Sequence, residues 1–357
     1  MVLERPDLSG VEPEVLAYIE ALEAALEAAL EAPPAGTRRS RTVTPVGNEE
    51  EPPELSEPPT TRNVITLSRA GLIKRTPRHL YGRQRRSGMG IFDLELPDDD
   101  LPAVLCVLDE SQMALAFTSE GRAFRFPVVE LPQTAVHARG QSITRWVPLR
   151  PEERVVALLP DQGGAQVALV SERGQVQRVR ASFVGPHMIP GMRFHDVKNG
   201  GALAGACWTS GKDDLFIATQ QGFAARFPEE RVHDSGSLGI RLERNDVAVG
   251  VAAVGDASLI FLLGADGKGA LRAMEGFAAN KMPGAGGKVA LKTERLTGLT
   301  VVAPADDILI ISRLGKIIRF QAAEVPQKTG VVQGVVCISL RGDEAVAAAA
   351  GHLGVTS

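Results

Sequence analysis

Aromatic residues make up only 4% of this chain, so large rings cannot supply most of a core. Val, Ile, Leu and Ala must do so, and 37 glycines with 23 prolines point to many turns, hence to an all-β body rather than a helical one. Cysteine is scarce: Cys106, Cys207 and Cys337 lie about a hundred residues apart and form no CxxC pair. That spacing argues against a zinc site or a disulfide scaffold, and the three read as reduced core residues. No window approaches the roughly 18 apolar residues of a membrane span, and MVLERPDLSG places no apolar stretch behind a basic start. The expectation is a cytoplasmic protein without a membrane partner.

Excess positive charge is also lacking overall, since the formal net charge is -4, but the charge is unevenly divided. Residues 1–62 hold 5 basic and 13 acidic residues, a net of -8, which leaves +4 for the remainder. From Asn63 to Phe92 the chain has Arg69, Lys74, Arg75, Arg78, Arg83, Arg85 and Arg86 and no acid. A segment of one sign is an electrostatic footprint that the whole-chain charge conceals.

Residues 1–32 contain an amphipathic helix, with Val15, Ile19, Leu22, Leu26 and Ala29 on one stripe and Glu20, Glu23, Glu27 and Glu31 elsewhere. Such a stripe packs on the body or on a second copy, so an oligomer through residues 11–32 is one expectation. Residues 33–62, with seven prolines and almost nothing apolar, predict a disordered linker. The Glu49–Glu57 cluster either keeps that linker extended or folds back to occupy the Arg85/Arg86 surface.

Periodicity takes over beyond Arg62. An apolar run, a polar turn closed by Gly and a basic residue four positions on recur as ITLSRAGLIKR, LAFTSEGRAFR, ALVSERGQVQR, IATQQGFAAR and LIISRLGKIIR, with a weaker copy in FLLGADGKGALR. The turn glycines 71, 121, 174, 222, 267 and 315 are each followed 17 to 19 residues later by Gly88, Gly140, Gly191, Gly239, Gly286 or Gly334. Six units of about 49 residues, starting near 63, 113, 166, 215, 259 and 307 and ending at 352, predict six small sheets around an axis. Each is too small to bury its own apolar face, so neighbours must supply the core.

Within the first unit, Gln84, Arg85, Arg86, Ser87, Gly88, Met89 and Gly90 spell QRRSGMG, which resembles the QRRGGKG signature of the DNA gyrase A C-terminal domain at five of seven positions. VITLSRAGLIKRTP and ALAFTSEGRAFRFPVVELP are similar to that family as well, and the resemblance covers roughly 63–350, strongest in the first three units. It implies a six-bladed β-pinwheel, a propeller-like disk whose blades exchange strands, with a basic rim that bends duplex DNA. Guanidiniums suit phosphate clamping, and glycine allows close approach to a duplex. On that basis Lys74, Arg75, Arg78, Arg83, Gln84, Arg85, Arg86, Gly88, Gly90, Arg125, Arg139, Arg178 and Arg319 are the candidate DNA-binding residues. Two departures stand out: Met89 in place of the family's lysine, and Ser87 in place of a glycine. The strand-end arginines 75, 125, 178, 226 and 319 fit a second reading equally well, as structural hydrogen-bond donors.

Other chemistry is thin. GADGKG at 264–269 lacks the spacing of a phosphate-binding loop, PGAGGK near 283–288 reads as a unit's second glycine turn, and the six histidines have no metal-ligand spacing. No metal, cofactor or catalytic residue is expected. DNA-cutting relatives carry their tyrosine in a separate N-terminal domain, whereas the tyrosines here are Tyr18 on the predicted helix and Tyr81 beside the box. The resulting expectation is a free-standing, non-enzymatic protein that binds and bends duplex DNA without sequence preference. It would act on the bacterial nucleoid alone or with gyrase or topoisomerase IV subunits. The alternatives are a protein-interaction propeller that has lost DNA wrapping, or an enzyme with its site in the central channel.

Overall fold

The computed structural model describes residues 57–351. The helix expected at 11–32, most of the linker and the end of the chain fall outside the described residues.

Six similar sheets account for nearly all of the regular structure, each built on a hairpin. The hairpins are Arg62–Ser68 with Leu72–Pro77, Met113–Thr118 with Arg122–Pro127, Gln166–Ser171 with Gln175–Arg180, Asp214–Thr219 with Phe223–Pro228, Leu259–Gly264 with Lys268–Ala273, and Asp307–Ser312 with Lys316–Gln321. Every hairpin closes on a glycine whose φ lies between 72° and 93°, and whose N–H reaches back three residues at 2.8–3.1 Å. Only glycine adopts this left-handed conformation without strain, and so the turn signal repeats. In five units a Ser or Thr three residues before the glycine also accepts from the N–H just past the turn, as in Leu72 N to Ser68 Oγ at 2.9 Å. The weaker fifth copy has Gly264 there and no hydroxyl.

The first hairpin strand pairs on its other side with the strand that follows in its own unit: Pro102–Asp109, Val155–Pro160, Leu203–Thr209, Ala248–Val254, Leu296–Val302 and Ala345–Gly351. These six line a central cavity of about 720 Å³ walled largely by Ala, Val and Leu. Alternate residues face the two neighbouring sheets, Ala347 and Ala349 packing toward the first and Ala348 and Ala350 toward the fifth, and buried and half-buried positions alternate along Ala345–Gly351. The hairpin strands read as continuous apolar runs because a sheet covers each of their faces.

The fourth strand of each sheet comes from the next unit. Gln141–Ser142 joins the first sheet, Met192–Arg193 the second, Ser237–Leu238 the third, Lys288–Val289 the fourth, and Gln327–Lys328 with Val335–Val336 the fifth. Ile91–Phe92 of the first unit joins the sixth sheet and closes the ring. The turn glycine anchors each exchange, since its carbonyl accepts an N–H from the incoming segment: Asp93, Ile143, Phe194, Gly239, Ala290 and Cys337 donate to Gly315, Gly71, Gly121, Gly174, Gly222 and Gly267 at 2.8–2.9 Å. Six apolar clusters lie between adjacent sheets, for example Leu115, Phe117, Val167 and Leu169 between the second and third, and Val64, Leu309 and Ile311 across the closing seam. The core therefore belongs to pairs of units, and the architecture is an all-β, six-bladed pinwheel.

Candidate nucleic-acid interface

Because Ile91–Phe92 crosses to the sixth sheet, Gln84–Gly90 is laid along the seam between the first and sixth units. Backbone bonds fix it there: Gln84 N to Arg319 O at 2.8 Å, Ser87 N to Cys337 O at 2.9 Å and Ser339 N to Gly88 O at 2.9 Å. A Cβ on Gly90 would come within 2.7 Å of Ile317 O, so this glycine serves contact between two protein segments. Arg86 is half-buried and turned inward, with Nε on Glu324 O at 3.0 Å and Nη1 on Val336 O at 3.3 Å. Arg85 and Met89 face outward, Met89 with 56% of its surface exposed.

Ser87 occupies a left-handed backbone conformation, φ 67°. The glycine of the family box thus meets a conformational need that a serine fills under strain. Ser87→Gly is expected to raise stability by up to about 1 kcal/mol, seen as a higher urea midpoint. A lower midpoint would show that the Ser87 Oγ bond to Arg86 O outweighs the strain.

Below the box lies a buried polar cluster that no other unit repeats. Lys74 Nζ donates to Asp93 Oδ1 at 2.5 Å, to Asp93 O at 2.6 Å and to Val136 O; Tyr81 Oη donates to Asp93 Oδ1 at 2.5 Å, and Thr66 Oγ1 to Asp93 Oδ2 at 3.0 Å. Lys74, Tyr81, Thr66 and Asp93 are at most 1% exposed. The cluster ties the first hairpin, the crossing segment and the second unit together. Burial lowers the Lys74 ammonium pKa against the pull of Asp93, and burial with the Asp93 charge pushes the Tyr81 hydroxyl far above its ordinary value. Lys74, expected as a phosphate contact, is an internal ion-pair partner in this structure.

The recurring strand-end arginines also point inward. Arg178 donates to Val232 O at 2.8 Å, Arg226 to Phe277 O at 3.3 Å and Arg319 to Tyr81 O at 3.0 Å. Each acceptor ends the short turn after the second hairpin strand of the following unit. In these three the geometry is that of the structural reading, a clasp from one unit to the next. Arg125 is held by Asp161 at 2.5 Å, and the buried Arg75 is paired with Glu110 at 3.4 Å. Arg78 is buried against Glu57, while Arg83 is half-buried with Nε on Asp307 at 2.9 Å. Gln84 is half-buried, its Oε1 accepting from Gly90 N at 3.3 Å.

Exposed cations sit instead on short strands at or beside the exchange. Arg193, Lys288 and Lys328 lie on the exchanged strands Met192–Arg193, Lys288–Val289 and Gln327–Lys328, whereas Arg139 and Arg241 lie on Ala138–Arg139 and Ile240–Arg241, which pair with Leu94–Glu95 and Ala285–Gly286 in two-stranded sheets. The first unit has no cation in its own short strand and offers Arg85 in the loop leading to it. Of these six, only Arg85 and Arg139 were expected from the sequence. A signal for three others existed: Arg193, Arg241 and Lys288 each stand two places after the unit's second glycine. Counter-charges are near, with Glu95 in register with Arg139 and Glu120 at 3.2 Å from Arg193, but such exposed pairs are weak.

The remaining candidates are structural. GADGKG forms the fifth hairpin turn, and PGAGGK leads into the strand exchanged onto the fourth sheet. His195 is buried with Nε2 at 2.9 Å from Gly201 O, and apolar surroundings push all three thiols up to about 12. Among the described residues no group of three or more His, Cys, Asp or Glu could hold a metal ion, and no helix is long and apolar enough to cross a membrane.

Comparison with known proteins agrees with this geometry. A family model described as "DNA gyrase C-terminal domain, beta-propeller" matches residues 62–101, 112–160, 213–254 and 306–350. These ranges fall in the first, second, fourth and sixth units, so the third is not among the strongest matches as the sequence had suggested. The DNA gyrase A protein of Escherichia coli (strain K12) is 28% identical over 295 residues, covering 79% of this chain and 34% of that protein. The DNA gyrase A protein of Staphylococcus aureus (strain MRSA252) is 26% identical, covering 98% of this chain and 42% of that protein. The chain thus spans about a third to two fifths of the length of the relatives it matches. Among solved structures, a DNA gyrase A C-terminal domain superposes with TM-score 0.71 at 19% identity, over 81% of this chain and 99% of that one. The C-terminal domain of DNA topoisomerase IV gives 0.58 at 18% identity, over 81% and 93%. The family-model match in four of the six units places the chain in the family of the DNA gyrase C-terminal domain, and the solved structures share its fold.

Proposed function

We propose that this ring is a non-enzymatic binding surface for duplex DNA, read without sequence preference and bent around the rim. The observation that carries the reading is the recurrence of an exposed cation, Arg85, Arg139, Arg193, Arg241, Lys288 or Lys328, at or beside the strand-exchange segment of each unit. Cations on short edge strands meet phosphates without a helix or ribbon entering a groove, so they position a duplex but do not read bases. Bending costs several kcal/mol, which scattered single contacts offset only when many act on one duplex. Tyr81 offers no nucleophile for strand cleavage, since its hydroxyl is buried and committed to Asp93. In this reading the ring acts beside gyrase or topoisomerase IV subunits, or alone on the nucleoid.

A duplex-length series tests the reading. Affinity is expected to climb steadily as the duplex lengthens from about 10 bp, because each further turn reaches another unit's cation, and to level off once the rim is occupied. Affinity that is flat from the shortest duplex onward would confine DNA to one patch. Met89, Ile91 and Phe92 are exposed beside Arg85, and flat affinity would favour a protein partner at this sector instead.

A further inference from the structure

We infer that the seam between the sixth and first units holds an anion site for a phosphate group, lined by Arg78 and Arg319 and occupied by the chain's own Glu57. The two arginines are 241 residues apart, yet Arg319 Nη1 donates to Arg78 O at 3.1 Å. Both are 3% exposed. Glu57 bridges them, one oxygen on Arg78 Nη2 and the other 2.6 Å from Arg319 Nη2. Burial would raise the Glu57 carboxyl pKa, but the hydrogen bond from Arg78 and the ion pair with Arg319 outweigh it and hold the group below the usual carboxylate range. The carboxylate is therefore charged at neutral pH.

Two features mark this as a ligand site rather than an ordinary ion pair. Charge is the first. Arg78, Arg83 and Arg319 converge on two carboxylates, Glu57 and Asp307, and Asp307 already accepts from Arg319 Nε at 2.8 Å and from Arg83 Nε at 2.9 Å. Withdrawal of Glu57 would leave Arg78 buried without a counter-charge, a state costly enough that another anion is drawn in. Unmet hydrogen bonding is the second, since Arg78 Nε and Nη1 are buried and have no acceptor. A carboxylate bridging two arginines cannot also reach these donors, whereas a phosphate has further acceptor oxygens to offer a guanidinium fork.

The occupant is also suited to leave. Glu57 precedes Pro58 and Pro59 and lies ahead of the first strand, Arg62–Ser68, so it can withdraw without breaking the sheet. Of the acidic cluster, Glu57 is described and contacts Arg78 and Arg319, while the rest of the cluster lies outside the described residues. Free phosphate and a DNA backbone phosphate share the required chemistry. Only use of the site by DNA rests on the function proposed above.

The test compares thermal unfolding of the full chain and of Glu57→Ala in chloride and in inorganic phosphate at equal ionic strength. The unaltered chain should unfold at the same temperature in both. Glu57→Ala should unfold several degrees lower in chloride and recover most of the loss in phosphate, and Glu57→Ala with Arg78→Met should not respond. Should Glu57→Ala fail to fold, Glu57→Gln keeps the shape without the charge and is expected to show the same phosphate response. A variant that gains no more from phosphate than the unaltered chain overturns the site. Short-duplex affinity then separates the sources. A severalfold rise in Glu57→Ala assigns the site to DNA phosphates, and unchanged DNA affinity with an intact phosphate response assigns it to the free anion. Loss of all DNA binding in both proteins with that response intact defeats the proposed function and leaves the site standing.

Discussion

Asp93→Ala should destabilise the ring by about 3–5 kcal/mol, the cost of leaving a buried ammonium without its partner. Lys74 is 1% exposed and Asp93 is wholly buried, so no water replaces the lost carboxylate. Thr66 and Tyr81 lose their acceptor in the same step. Asp93 also lies directly after Ile91–Phe92, so slack here loosens the strand that closes the sixth sheet. The double variant Asp93→Leu with Lys74→Met should recover much of the loss, because apolar replacement of both partners leaves no buried charge. Urea unfolding checks both. An Asp93→Ala cost below about 1 kcal/mol would mean that the cluster does not hold the crossing segment.

Replacing the six rim cations Arg85, Arg139, Arg193, Arg241, Lys288 and Lys328 by Gln should lower duplex affinity at least about a thousandfold at low salt, since each neutralised phosphate releases condensed counterions. All six are exposed, so stability should change little. The contrasting variant is Arg226→Met. Arg226 is 5% exposed and holds Asp214 at 2.7 Å, Asp256 at 2.6 Å and Phe277 O at 3.3 Å. It should lower stability while leaving the affinity of the folded fraction near that of the unaltered chain. Electrophoretic mobility shift beside urea unfolding separates the two effects. Equal losses of affinity from both variants would remove the distinction between rim and clasp.

This distinction could not be read from the sequence. Hairpins were legible because a left-handed turn position demands glycine, and the ring followed because six glycine-marked units share an offset pattern. The exchanged strands were not, since two residues carry no periodicity and their pairing is with another unit. The arginine after the turn kept two equal readings in the sequence because a donor aimed at a phosphate and a donor aimed at a neighbour's carbonyl have one spelling. Burial decides between them, and burial depends on the next unit. Asp93 escaped notice because nothing in its spacing marks Lys74 as its partner, and the partners of Glu57 were misplaced because Arg319 is brought to it by ring closure. Arg85 was found because the densest basic run happens to lie where the chain crosses the seam.

Salt dependence of duplex binding tests the central claim, that phosphates are held by the rim cations, most directly. With about six phosphates neutralised, the logarithm of the binding constant should fall against the logarithm of salt concentration with a slope of about -5 for the unaltered chain, and close to zero for the six-cation variant. A slope near zero for the unaltered chain, or an unchanged slope in the variant, would contradict it.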